Sequence, residues 1–407
     1  MDTLDHLPTL PLFIGYGTYG HVMLTEQDEL GIYHALRLHG RVRHIDLGLP
    51  PSILHYVVML MGEHFPILEH LSLSFAATDE DSLPLTLPKA FLAPNLRHLS
   101  LPSISPPRRL RVLNSTVSLV RLELVNIPTS SYFRPRVLVA RLSFLPQLEE
   151  LFIGFSIPIP RPSTERELLG EQGTPVPLPT LKKLWFKGVG AYLECVVAQI
   201  RAPLLERLGI TFFNQIVFTL PHLSHFINIT KGFKPPMARV HFLLDEVSLT
   251  MAHHSSPWFE EPFRLRVKCK ELDWQIDCAA QICDALIPTL SGVEQLTLDC
   301  SHDFQIPTEL QNGVIDSTMW CHLLRPFIGV KKLYIRHGLS EALSRALHLD
   351  EVGSAPGFLP NLQSITATGT SFTPFVDTRR VMGRPVEFSF WAPGQRHGHQ
   401  QSWTKAY

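Results

Sequence analysis

The chain has 407 residues, and its 36 Lys and Arg residues nearly balance 37 Asp and Glu residues, giving a formal net charge of −1. This balance lacks the basic surplus typical of nucleic-acid binding, so we expect no nucleic-acid partner. Hydrophobic residues make up 45% of the chain, which is enough for a large core and excludes a disordered protein. No apolar run approaches the ~18 residues of a membrane span, and the N-terminus has no signal-peptide pattern. We therefore predict a cytoplasmic or nuclear protein with no membrane partner, built from several domains or a repeat array.

The N-terminal 40 residues contain a glycine-rich segment, Gly15–Val22, that fits the pattern of the kinase phosphate loop. In a kinase, a Lys on a following strand pairs with the ATP phosphates, but Arg37 stands at that distance here. The chain also lacks the His-Arg-Asp and Asp-Phe-Gly motifs. Val22–Thr25 is expected to extend a strand, whereas a dinucleotide fingerprint would open a helix. We interpret the segment as a Gly-rich turn, and a nucleotide-binding enzyme that uses the Gly15–Gly20 loop is the alternative.

From residue 41 onward, one phrase recurs: an apolar residue, two mostly polar residues, Leu or Ile, one variable residue and a last apolar residue. Its copies begin at residues 42, 68, 96, 119, 148, 181, 205, 293, 330 and 362. The first seven are spaced by 26, 28, 23, 29, 33 and 24 residues, and such a period is typical of repeat proteins. Proline precedes several copies, as in Ala93-Pro94 and Leu178-Pro179. Because proline has no backbone donor, it suits the turn before a strand.

Each copy alternates so that its apolar side chains share one face of a strand. A single unit cannot bury that face, but stacked units bury it jointly. Helical patterns between the strands, which we expect to pack behind the sheet, cover residues 52–64, 191–200, 316–327 and 339–349. Between the copies at 205 and 293 the phrase is lost, and weak strand candidates remain at residues 240–242, 263–267 and 272–276.

The repeats resemble leucine-rich repeats, and the whole chain resembles the F-box and leucine-rich-repeat-like proteins of basidiomycete fungi. The resemblance covers about residues 10 to 370 and is carried by Phe65–Leu71, Ala93–Leu101, Leu178–Phe186, Ala202–Leu208 and Phe212–Gln215. The predicted fold is α/β, an irregular leucine-rich-repeat solenoid (horseshoe) with parallel strands on the concave face and helices and loops on the convex face. Its predicted parts are an N-terminal cap or linker (1–40), the solenoid (41–372, degenerate around 211–290), and a C-terminal cap and polar tail (373–407).

The chain departs from this family in two ways. A standard leucine-rich repeat places Asn or Cys three residues after the last apolar strand position, where the side chain bonds backbone between coils. Here those positions hold Ala76, Ile104, Ile127, Ser156, Val189, Phe213, Ser301, Gly338 and Thr370. We therefore expect irregular coils of uneven curvature. In addition, no F-box is visible, because Leu7–Pro11 does not continue into the helical segment of that motif.

The 6 cysteines and 20 histidines show no metal-site pattern. The cysteines lack Cys-x-x-Cys spacing, so we expect reduced thiols that are mostly small buried hydrophobes. The close histidine pairs, 253/254 and 397/399, have no carboxylate partner. His70 and His98 occupy equivalent repeat positions, which we expect to face solvent. The sequence therefore predicts no metal and no cofactor.

The candidate binding residues lie on the face opposite the buried apolar positions. Because Leu184 and Phe186 point into the core, their polar neighbours point outward, and one coil earlier Phe152 is expected beside Trp185. Exposed aromatics flanked by charge are typical of protein-binding surfaces. In the alternative interpretation, the Pro-rich segment 156–179 folds over these aromatics and buries them. The predicted protein-binding residues are Phe152, Lys183, Trp185, Lys187 and Tyr334.

These observations predict a non-enzymatic scaffold, a monomer that binds a protein partner on the concave face. The family resemblance implies substrate recognition for a cullin-type ubiquitin ligase. A Skp-type adaptor is an expected partner only if a disguised F-box exists. Because a fold alone does not determine function, a nucleotide-binding enzyme and a degenerate paralogue without a partner are the alternatives.

Overall fold

A computed structural model describes residues 10–17, 24–75, 85–106, 108–158, 175–215, 217–230, 232–253, 261–301, 317–336, 338–352, 359–369 and 372–391. The chain divides into two compact units, Met1–Glu206 and Arg207–Tyr407. Both units are mixed α/β with mostly parallel strands, which confirms the predicted α/β class. Within the described ranges, no helix combines the length and apolar character needed to cross a bilayer.

The strands of the first unit pair in parallel and in chain order, apart from a small separate pair formed by β7 and β9. They are β1 (Leu12–Tyr16), β2 (Val42–Leu49), β3 (His70–Phe75), β4 (His98–Ser100), β5 (Arg121–Ile127), β6 (Glu150–Phe155), β7 (Val176–Pro177), β8 (Lys183–Gly188) and β9 (Ile200–Arg201). The helices of this unit are α1 (Glu26–Arg37), α2 (Pro51–Leu60), α3 (Pro135–Leu142) and α4 (Gly190–Val197). Single 3₁₀ segments cover His39–Arg41, Arg108–Asn114 and Thr129–Ser131.

The recurring phrase forms these strands because its apolar positions are buried together. In the copy that begins at residue 96, Leu96, Leu99 and Leu101 are each 0% exposed. Each fully buried Leu side chain contributes about 1.5–3 kcal/mol of transfer free energy, so three in one copy of the phrase contribute strongly to the core. The polar residues between them stay on the opposite face of the sheet.

In three of the turns before strands, a side chain donates a hydrogen bond to the preceding repeat of the phrase. The Asn95 side-chain amide donates to the carbonyl of Pro66 at 2.7 Å, and the Thr180 hydroxyl donates to the carbonyl of Pro146 at 3.0 Å. In the second unit, the Asn361 amide donates to the carbonyl of Ile328 at 2.9 Å. At the position after the strand, where the standard repeat has Asn or Cys, the Ser156 hydroxyl donates to the carbonyl of Ile127 at 3.1 Å.

The second unit has the strand order β10-β13-β12-β11-β14-β15-β16-β17. These strands are β10 (Arg207–Phe212), β11 (Met237–Phe242), β12 (Glu246–Ala252), β13 (Phe263–Lys268), β14 (Gln295–Cys300), β15 (Lys332–Ile335), β16 (Ser364–Ala367) and β17 (Glu387–Phe390). Its helices are α5 (Pro221–Ile229), α6 (Leu272–Ala285), α7 (Ile287–Leu290), α8 (Ser317–Leu324), α9 (Ser340–Val352) and α10 (Thr373–Val381).

The region where the phrase is lost contains an antiparallel hairpin. Strand β12 is antiparallel to both β11 and β13. Only residues 243–245 separate β11 from β12, and a connection this short cannot cross over to a parallel position. The buried Gln275 side chain holds this turn, because its amide donates to the carbonyls of Leu243 at 2.8 Å and Cys269 at 3.0 Å.

Most predicted elements are found, with specific exceptions. The four predicted helices correspond to α2, α4, α8 and α9, and the strand candidates at 240–242 and 263–267 lie in β11 and β13. The candidate at 272–276 was wrong, because Leu272 begins helix α6, which buries Leu272, Ile276 and Cys283 on one side. Strands β1 and β17 add parallel neighbours to β2 and β16 and were not anticipated.

Only the first residues of the glycine-rich N-terminal segment, Gly15–Gly17, are described. Gly15 lies inside strand β1, and Arg37 lies at the end of helix α1, so no strand cation follows the glycines at the kinase distance. The prediction that Val22–Thr25 extends a strand was wrong in its described part, because Thr25 is the N-cap of α1. Its hydroxyl accepts from the Asp28 backbone N–H at 3.2 Å, and the Asp28 carboxylate accepts from the Thr25 N–H at 3.0 Å.

The cysteines are free thiols, as predicted, and five of the six are buried. The exception is Cys321, which is partly exposed. Burial raises the pKa of the Cys283 and Cys195 thiols, so both favour the neutral form that suits an apolar core.

Candidate functional site

Two rows of side chains cross the polar face of the first unit, one residue per strand. Parallel register aligns each member with the next, so neighbours lie about 5 Å apart along the sheet. The first row, from β1 to β8, is Phe13, His44, His70, His98, Arg121, Glu150 and Lys183. The second row, two residues further along each strand, is Gly15, Asp46, Ser72, Ser100, Glu123, Phe152 and Trp185.

Phe152 and Trp185 are direct neighbours at the β6–β8 end of the second row. Along β8, the partly exposed Lys183, Trp185 and Lys187 alternate with the buried Leu184 and Phe186. As the alternation of side chains along a strand predicts, Phe152, Lys183, Trp185 and Lys187 lie on the polar face. Sequence reasoning found them because both flanking positions on β8 are strongly apolar.

The Phe152 ring contacts a network of ion pairs that spans both rows. The Arg121 guanidinium lies 4.7 Å from the centre of the Phe152 ring and pairs with Glu150 at 2.7 Å and Glu123 at 2.8 Å. Lys183 reaches the other oxygen of Glu150 at 2.7 Å. Burial acts to raise the pKa of Glu150, but the hydrogen bond and charge of Lys183, with Arg121, outweigh it and lower that pKa. Glu150 is therefore ionised and fixes both cations.

The Trp185 ring owes its position to a glycine on the neighbouring strand. A Cβ atom at Gly154 would lie 2.9 Å from Cζ3 of Trp185, so any larger residue would push the indole away. Gly154 is opposite Lys187, whose Nζ lies 3.4 Å from the Asn126 side-chain oxygen. One part of the indole thus covers the sheet while the rest is accessible to solvent.

Tyr334, the fifth predicted residue, lies on β15 of the second unit in a separate aromatic cluster. Its ring meets Trp391 edge-on at 6.1 Å, and the Arg336 guanidinium lies 4.2 Å from the Trp391 ring centre. Burial lowers the pKa of Arg336. Sequence reasoning missed Trp391, because the strand β17 that precedes it has no recognisable phrase.

The three histidines of the first row are adjacent in one column on the polar face, and all three are partly exposed, so the expectation that His70 and His98 face solvent holds in part. The rings of His44 and His70 are 4.1 Å apart at 13°, and those of His70 and His98 are 5.4 Å apart. All three side chains are partly buried. Burial, followed by the charges of His44 and His98, lowers the pKa of His70 to about 4. The predicted equivalence of His70 and His98 is confirmed by their direct pairing.

Several predictions concern residues outside the described ranges. Most of the Pro-rich segment 156–179 lies there, so its predicted position over Phe152 and Trp185 is not described. Residues 18–23 of the glycine-rich segment also lie outside the described ranges, as do Leu7 and Pro8, where an F-box was expected to begin if one exists. The same is true of His254, His397 and His399.

No protein-family model matches the chain, and no curated protein is significantly similar to it. The resemblance to F-box and leucine-rich-repeat-like proteins therefore rests only on the sequence segments given above, and these comparisons do not support it.

Proposed function

We propose that the chain is a non-enzymatic, leucine-rich-repeat-like scaffold whose first unit binds a protein partner through Phe152 and Trp185. The observation that carries this proposal is the direct pairing of these two partly exposed aromatics on a polar sheet face. Lys183 and Lys187 flank the pair on the same strand. Tyr334 would contribute a second contact region on the second unit.

The surroundings of the aromatic pair favour binding over simple surface packing. Trp, Tyr and Arg dominate the energetics of protein interfaces when neighbouring groups keep them rigid and exclude water. Arg121, Glu150 and Lys183 form such a support, since each charge has a partner within 2.8 Å. A partner would therefore meet aromatics that are already ordered, which reduces the entropy lost on binding.

The role in ubiquitin ligation rests on the family resemblance. In that role, the parallel coils hold the substrate protein, and a Skp-type adaptor would bind a disguised F-box at the N-terminus. The repeated apolar phrase and its parallel strands support the leucine-rich-repeat part of this proposal. The adaptor part depends on residues before β1.

Affinity purification of the full chain, followed by mass spectrometry, tests the proposal when wild type is compared with Trp185→Ala. We expect captured partners to be depleted at least about tenfold with the variant, because truncating a central interface Trp typically costs about 2 kcal/mol or more. The matched control is Trp274→Ala, which removes a Trp that is 55% exposed on α6 of the second unit. This control should retain all partners.

Three results would change the interpretation. Equal capture by wild type and Trp185→Ala would remove the aromatic pair from the binding surface. Partners lost with Tyr334→Ala but kept with Trp185→Ala would move the contact to the second unit. Absence of any specific partner would favour the degenerate paralogue, whereas a stoichiometric Skp-type adaptor would support the ligase role.

A further inference from the structure

The β2–β3 end of the two rows brings together three metal-ligating side chains that the sequence keeps apart. His44 and Asp46 lie two residues apart on β2 and so share its polar face, and His70 on β3 is the register partner of His44. The donor atoms of His44, Asp46 and His70 all lie within 4.8 Å of one another. We propose that these three residues form a binding site for a divalent first-row transition-metal ion, with Zn²⁺ the first candidate.

The donor set selects this class of ion. Imidazole nitrogen suits Zn²⁺, Ni²⁺ and Cu²⁺, whereas Ca²⁺ and Mg²⁺ require oxygen ligands. Two histidines and one carboxylate are also a common three-ligand set for zinc. With bonds of about 2.0–2.1 Å in tetrahedral geometry, the ligand atoms must lie about 3.3 Å apart. The observed separations therefore require a closure of about 1.5 Å or less, which rotation of the side chains can supply.

Among the described residues, these donor atoms have no other partner. The ring nitrogens of His44 and His70 form no hydrogen bond with any described residue, and the Asp46 carboxylate forms no hydrogen bond or ion pair there. This differs from the other end of the first row, where the Glu150 carboxylate is occupied by Arg121 and Lys183. A partly buried imidazole pair with free nitrogens costs desolvation energy, and metal binding would recover it.

The neighbouring residues leave the ion accessible. Asp46 is exposed, and its register partner on β3 is the small Ser72, so solvent reaches the site from the polar face. Phe13 and His98 flank the stacked pair, with ring centres 5.9 Å from His44 and 5.4 Å from His70, respectively. Three protein ligands leave a fourth position for water or for a donor from a bound partner.

Titration calorimetry of the full-length, metal-stripped chain with Zn²⁺ tests the site. We expect one binding event that His70→Ala and Asp46→Asn each weaken at least about tenfold, because each removes one of three ligands. His98→Ala is the matched control, since it removes the adjacent imidazole of the same column and should leave the affinity within about twofold. Circular dichroism of each variant establishes that the fold is retained.

Substitution of Co²⁺ for Zn²⁺ gives a readout independent of heat. A three- or four-coordinate site with two imidazoles should produce visible absorption bands that disappear in Asp46→Asn, a surface substitution that leaves the core intact. The proposal is overturned if the wild-type chain binds Zn²⁺ only with a dissociation constant of about a millimolar or weaker. It is equally overturned if His98→Ala weakens binding as much as His70→Ala, or if Zn²⁺ affinity survives in Asp46→Asn and His70→Ala.

Discussion

The two units use the same apolar alternation but connect their strands differently. In the first unit, strands β1 to β6 and β8 follow one another in parallel, and each carries a copy of the phrase or pairs with a strand that does. In the second unit, β11, β12 and β13 form an antiparallel segment in reversed order. The apolar pattern therefore specifies which face is buried, whereas the length of the connection specifies strand direction.

The side chains that hydrogen-bond to neighbouring backbone segments also differ in burial between the first unit and the antiparallel segment of the second. In the first unit, the exposed Asn95 side chain links its turn to the preceding repeat, and water can compensate for its loss. The antiparallel segment depends on Gln275, which is 0% exposed. Its amide nitrogen lies within hydrogen-bond distance of three carbonyl oxygens, those of Leu243, Cys269 and Lys270. The reversed region is therefore the more sensitive of the two to loss of a single hydrogen-bonding group.

The largest effect is expected for Gln275→Met, which preserves approximate side-chain volume but removes the donor. Unpaired buried carbonyls cost about 1–3 kcal/mol each, and removal of the unpaired Gln275 Oε1 offsets part of this, so we expect a loss of about 2–3 kcal/mol. Hydrogen exchange of β11 and β12, followed by mass spectrometry, should accelerate about 30-fold or more.

The control for that prediction is Gln199→Met in the first unit, where a partly exposed amide donates to one carbonyl, that of Cys195, at 2.8 Å. This change should cost less than about 1 kcal/mol. Equal effects of the two substitutions would mean that the hairpin does not depend on the buried Gln275 amide.

A smaller effect is expected from acidification of the histidine column. The pKa of His70 is about 4 in the folded chain and about 6.5 in a model peptide. Between these values the unfolded chain binds more protons, so stability is complete above about pH 6.5 and falls as the pH decreases toward 4. Since the side chain is partly exposed, we expect a loss on the order of 1–2 kcal/mol.

The groups that face His70 are His44, His98, Asp46 and Arg121, and burial is the largest cause of its shift. Denaturant unfolding in the presence of a chelator, at pH values from about 4.5 to 7, measures this dependence. The substitution His70→Gln should flatten the pH profile. An unchanged profile in this variant would assign the acid sensitivity to other groups.

The smallest effect is expected for Asn95→Ala, which removes one exposed side-chain bond between coils. We expect a loss of about 0.5–1.5 kcal/mol, as for a typical hydrogen bond. Thermal unfolding should show a modest decrease in melting temperature without loss of cooperativity. A loss comparable to that of Gln275→Met would indicate that the turns, rather than the Leu core, hold the coils together.

Much of the fold could be predicted because the phrase couples local alternation to burial. Leu, Ile and Phe positions such as Leu184 and Phe186 identified their strands, and the outward direction of Trp185 followed from the pleat. The reversal of β12 could not be predicted, because alternation along a strand is the same in either direction. Strands β1 and β17 were missed because neither contains a copy of the phrase.

The candidate site was predictable only where it lies within one strand. Neighbours across strands depend on register, which is set by the buried positions of Leu71, Leu99 and Leu122. Register places His44, His70 and His98 in one column, although 26 and 28 residues separate them along the chain. Aligning the same polar position in successive phrases is enough to find this column, and Asp46 then follows two residues after His44 on the same face.

The hydrogen bonds in the turns before the strands have a consequence for how the chain can vary. Asn95, Thr180 and Asn361 tie each turn to the preceding coil before its strand begins. After β6 the Ser156 hydroxyl also donates to the carbonyl of Ile127 at 3.1 Å, and in sequence the segments 76–84 and 159–174 lie between a strand and the next such turn. Insertions and deletions there change the repeat length, from 23 to 33 residues among the first seven copies, without shifting the register of the strands. The length of one repeat can therefore change while the strands of its neighbours keep their alignment.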